Sequence, residues 1–172
     1  MEAFIFEGAQ TVLSLEGLGK TVGMDMPFWM AAFLAGSFAA VAMDLVMMVV
    51  RLSVHSPFSM PVIVGSTLLP NARPRERRTL GTAAHLLIGS FFGVAFTTIA
   101  ERSLVGELPL LFAAVGWGVA LWLVTGLTVL PLLKRGLFGE ETDDFAWAIL
   151  LLGHLVYGLV LGLLLPFIFL SQ

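Results

Sequence analysis

The fold class this sequence predicts is all-α: a polytopic membrane protein, an up-down bundle of four transmembrane helices preceded by an N-terminal interfacial segment. Three observations carry that expectation. The chain is 58% hydrophobic and only 12% charged, roughly half the charged fraction of a soluble domain. Its mean hydropathy is +0.97. Its apolar residues also gather into four runs, each matching the ~20 residues that cross a bilayer. Runs of that length can only be helices, because in lipid every backbone amide must find its partner within the segment. Strand-like alternation is missing.

The N-terminal segment, residues 1–26, carries Glu2, Glu7, Glu16 and Asp25 against the single cation Lys20. It therefore lacks the basic start of a signal peptide. Its apolar residues are spaced loosely like one helix face, while Gly8, Gly17, Gly19 and Gly23 argue against a continuous helix. The expectation is a segment lying in the membrane interface or docking on a partner. Residues 27–172 form the transmembrane domain, with spans at about 27–50, 80–100, 108–133 and 145–170.

Orientation follows from the basic residues. Arg51, Arg73, Arg75, Arg77, Arg78, Lys134 and Arg135 fall on one side, and Lys20 and Arg102 on the other. The positive-inside rule then puts the basic loops in the cytoplasm and both termini outside the cell (inner) membrane. The first loop is the long one. Its middle, 59–70, is apolar but too short to span, and Pro57, Pro61 and Pro70 bracket it. It should dip into the basic end of the bundle or lie along it. The cluster Arg73-Pro-Arg-Glu-Arg-Arg78 reads as an anchor facing lipid phosphates or as a partner-docking site.

Several function classes are excluded. With no cysteine, disulfides, thiolate metal sites, iron–sulfur ligation and covalent c-type haem attachment are ruled out. A net charge of −3 without aromatic-basic interleaving gives no nucleic-acid surface. No nucleophile–base pair, phosphate loop or zinc helix is present, so no catalytic residue is assigned. The methionines of span one, Met43, Met47 and Met48, read as gap-fillers rather than copper ligands, so no metal site is assigned.

Two stretches stand out: His85-x3-Gly89-x3-Gly93 and His154-x3-Gly158-x3-Gly162. A spacing of four keeps each set on one helix face, a histidine above two bare-backbone patches. Each lies on the second helix of a hairpin, which suggests a parallel internal repeat. Counting from the helix ends places Asp44, His85, Thr125 and His154 in one polar layer, about 10–15 Å deep on the basic side. On that count His154 sits about three residues deeper than His85. An ionisable group at this depth costs on the order of 3 kcal/mol and should face the interior with a partner.

Three readings of the layer are open. The glycines can let helices approach closely while each histidine hydrogen-bonds a neighbour such as Asp44 or Thr125. The histidines can be axial ligands of haem b, or of magnesium in (bacterio)chlorophyll, with Gly89, Gly93, Gly158 and Gly162 making room for the macrocycle. Or Asp44 and a histidine can form a proton or cation site in a small, homo-oligomeric carrier.

The chain also resembles a group of small, uncharacterised four-span membrane proteins of bacteria and archaea. The residues that carry the resemblance are Gly36 and Met43 in span one, the His85 motif, Gly116-x5-Trp122 with Pro131, and Gly153-His154-x2-Tyr157-Gly158-x3-Gly162. It implies the four-helix topology and a joint role for both histidines, with no particular activity. Asp44 and the charged first loop lie outside the pattern.

The expectation is a small subunit of a larger membrane complex for respiratory or photosynthetic electron transfer. Its partners would be other membrane subunits and lipids, which exposed Phe91, Phe92 and Phe96 would meet. The alternative is the carrier with its Asp/His site.

Overall fold

The computed structural model describes residues 27–102 and 109–170, the side chains of 167–170 excepted. The N-terminal segment expected at the interface lies outside these residues. Helices α1 (Phe28–Ser53), α2 (Met60–Leu68), α3 (Pro74–Glu101), α4 (Leu110–Val124, continuing to Leu132) and α5 (Ala146–Leu170) make up the fold. Four of them, all but α2, are long and apolar enough to cross a membrane.

Local chemistry sets the ends. Span two begins at Pro74 rather than near residue 80, because Pro74 needs no amide partner in the first turn and Glu76 accepts a hydrogen bond from the Arg73 amide at 3.1 Å. The arginine cluster is thus mostly helical. Arg77 donates to the carbonyls of Ala72 and Pro70 and closes the turn before α3. Near its end α4 widens into a π turn, Thr125–Val129. Pro131 follows, and a proline has no amide to donate and crowds the carbonyl four residues earlier. Asp143 accepts from the Phe145 amide at 2.7 Å and fixes the entry to α5.

Small residues dictate how the helices meet. A Cβ added at Gly93 would lie 2.5 Å from Gly36 Cα, and one at Gly89 would lie 2.6 Å from Ala40 Cβ, so α3 rides on α1 nearly backbone to backbone. Gly158 and Gly162 meet Ala114 and Leu111 of α4 in the same way, and Gly153 accommodates Met43 and Met47 of α1. The lateral order is therefore α3–α1–α5–α4. Between α3 and α4, which scarcely touch through their backbones, Phe92 and Phe96 close on Trp117, with ring centroids 6.3 and 5.7 Å apart. Phe96 is buried, against the expectation that it would face lipid or a partner; Phe91 and Phe92 are exposed. The apolar middle of the first loop is α2, laid against the start of α3 where Gly65 and Gly81 leave no room for a side chain.

Candidate functional site

The four polar residues meet in two pairs, Asp44 with His85 across α1 and α3 and Thr125 with His154 across α4 and α5. On α1, Asp44 Oδ1 lies 3.0 Å from His85 Nδ1 of α3, with side-chain exposures of 18% and 13%. The approach is off the axis of an aligned hydrogen bond, which leaves Asp44 Oδ2 and His85 Nδ1 both buried without a hydrogen-bond partner. That is an under-satisfied carboxyl–imidazole pair in an apolar setting, where each missing bond is costly. On α5, buried His154 has Nδ1 at 2.8 Å from the Leu150 carbonyl and Nε2 at 3.5 Å from Thr125 Oγ1 of α4. A carbonyl only accepts, so Nδ1 carries the hydrogen and Nε2 of the neutral ring accepts from the threonine.

Tyr157, the single tyrosine, joins the two halves: its hydroxyl donates to the Gly89 carbonyl of α3 at 2.6 Å. Gly89 is four residues beyond His85, and Tyr157 three beyond His154. Each histidine thus lies about one turn before this bond on its own helix. No role had been read for Tyr157. Its place one turn after His154, inside the motif, is the signal that would have suggested one.

A cavity adjoins the Asp44–His85 pair. Its volume is about 390 Å³, and it runs from Asp44 toward the arginine-rich end. Arg51, Ser59, Arg78 and Thr82 supply its other polar lining, and Leu45, Met48, Phe58 and Leu86 are among its apolar walls. Beyond the layer, away from the arginines, α1 and α3 are sealed by Ala32, Gly36 and Gly93. The Ser37–Ser90 hydroxyl contact, 2.7 Å, is satisfied within that seal. Neither the cavity nor the roles of Arg51 and Arg78 in it could be read from spacing, since both depend on how α2 folds back on α3.

A macrocycle does not fit the two histidine faces. Gly89 and Gly93 are covered by α1, and Gly158 and Gly162 by α4, at distances that leave no space even for a methyl group. A haem or chlorophyll ring between helices needs axes wider apart than the usual 8–10 Å, and glycine contacts bring them closer. His154 also presents Nε2 to Thr125 rather than to a gap. Among the described residues no cluster of three His, Cys, Asp or Glu side chains can hold a metal ion.

Comparison with protein-family models, with curated proteins and with solved structures returns no match. The reading of this site rests on its own geometry.

Proposed function

We propose that the chain is a small multi-pass membrane carrier in which Asp44 and His85 bind and release a proton, with the arginine-rich end facing the cytoplasm. The observation that carries this reading is Asp44 itself: a carboxylate in an apolar helix, paired with an imidazole, one oxygen buried and unpartnered, at the inner end of a cavity. Intramembrane carboxylate–histidine pairs of this kind suit proton relays. A proton arriving through the cavity can add to the carboxylate or to the imidazole, and the other stays beside it as counter-charge or hydrogen-bond partner.

Vesicles reconstituted with the protein and loaded with a pH-reporting dye test this. A pH step imposed under a clamped potential should dissipate faster than in protein-free vesicles, and Asp44→Asn should return the rate to that background. Wild-type vesicles no leakier than empty ones sink the reading. The rival, an accessory subunit of a larger membrane assembly, draws on the exposed rings of Phe38, Phe91 and Phe112. Stoichiometric co-purification with fixed membrane partners would favour it.

A further inference from the structure

The cavity below Asp44 has a second chemistry that proton handling leaves unused. Arg51 and Arg78 both line it, and among the described residues neither forms an ion pair. Two unpaired guanidiniums on neighbouring helices, α1 and α3, make an anion site: each presents a fork of donors suited to phosphate oxygens. From there toward the bundle centre the wall becomes apolar, with Met48, Leu45 and Val41 of α1 and Leu86 of α3. The first three are more than a third exposed, Leu45 53%. The groove is therefore open sideways, on the outer surface of the bundle, and not only toward the helix ends. Its floor is the buried Phe58 and Met60 where α2 begins.

We propose that this groove binds one anionic phospholipid, with its phosphate between Arg51 and Arg78 and one acyl chain along Val41, Leu45, Met48 and Leu86. Charge and depth agree with that occupant. Arg51 is seven residues from Asp44 along α1, about 10 Å, so a phosphate at the arginines keeps its charge away from the carboxylate. The volume, about 390 Å³, is at the small end for a ligand pocket. It suits the head and upper part of one chain, with the rest of the lipid lying outside against the exposed helix faces. A soluble anion would use the arginines and leave the apolar wall without a role. The proposal shares the cavity with the proton site but does not depend on proton movement.

Native mass spectrometry of the detergent-purified full chain, titrated with phosphatidylglycerol or with phosphatidylcholine, tests it. The wild type should retain one phosphatidylglycerol about tenfold more tightly than phosphatidylcholine, the scale of a lost charge-assisted contact. Arg51→Gln with Arg78→Gln should erase that preference, and Met48→Trp, which fills the groove, should weaken retention of both lipids. Arg75→Gln, on the same helix but outside the cavity, should change nothing, and Asp44→Asn should keep the lipid preference while abolishing proton flux. Equal loss in Arg75→Gln, an unchanged preference in the double variant, or displacement of the lipid by millimolar inorganic phosphate would each overturn it.

Discussion

Alanine at Gly93 and alanine at Gly116 should have opposite effects, although both residues lie in long apolar helices. A Cβ at Gly93 would sit 2.5 Å from Gly36 Cα, 3.0 Å from Gly36 N and 3.0 Å from the Ala32 carbonyl oxygen. All three are backbone atoms that no rotamer change can move. Carbon atoms prefer about 3.5–4.0 Å, so α1 and α3 must separate by about 1 Å along their closest stretch. Overpacking of that kind costs about 1–3 kcal/mol, and the helical advantage of alanine over glycine, about 1 kcal/mol, offsets part of it. At Gly116 a Cβ meets nothing within 4 Å, so only the small gain remains. Gly153 should fall between them, because its Cβ would meet the flexible thioethers of Met47 and Met43 rather than backbone. Reversible unfolding in mixed micelles with rising dodecyl sulfate, followed by circular dichroism, ranks the three variants. Gly93→Ala as stable as Gly116→Ala would refute close packing as the purpose of the first glycine motif. A Soret or far-red band in the purified wild type would refute it independently.

Two further outcomes follow from the polar layer. A double-mutant cycle on Asp44→Ala and His85→Ala should give a coupling of about 0.5–3 kcal/mol, the range for directly contacting residues. Replacing both by leucine should cost less than either single alanine change, since a lone buried partner is worse than none; a coupling near zero in the same unfolding assay would mean the 3.0 Å contact carries no energy. Tyr157→Phe should lose about 0.6–1.5 kcal/mol, because its one hydrogen bond ties α5 to the Gly89 carbonyl. A stability equal to wild type would remove Tyr157 as the tie between the two hairpins.

The four long helices were legible because hydrocarbon leaves the backbone no alternative, so composition alone fixes the element type. The start of α3 was legible too, but in a different signal. Hydropathy ends near Leu80, whereas the proline at the first helical position and the glutamate two residues on mark Pro74. Depth counting brought Asp44, His85, Thr125 and His154 together without saying which pairs with which. A helical face reveals what points inward, not which neighbour it meets, and the pairing of Asp44 with His85 and Thr125 with His154 follows from the order α3–α1–α5–α4. Phe96 illustrates the same limit: its burial depends on Trp117 arriving from α4. The arginine-lined cavity depends on α2 folding back, a long-range event with no local signature.

The pairing gives the repeated motif a physical meaning. In both hairpins the His-x3-Gly-x3-Gly face turns toward the preceding long helix, which offers a polar partner to the histidine and small residues to the glycines. In one, α1 supplies Asp44, Ala40 and Gly36; in the other, α4 supplies Thr125 and Ala114. Equivalent contacts in two hairpins whose second helices run the same way are what a duplicated unit would retain. The copies differ where chemistry would matter. Thr125 gives His154 a hydroxyl partner in a buried setting, whereas Asp44 gives His85 an ionisable one beside an open cavity. A neutral hydroxyl–imidazole contact has no charge to exchange and serves to hold α4 on α5. Among the described residues, the first hairpin is the one that combines an ionisable pair, an unpartnered carboxylate oxygen and an adjoining cavity, which is why the proposed proton chemistry is assigned to it.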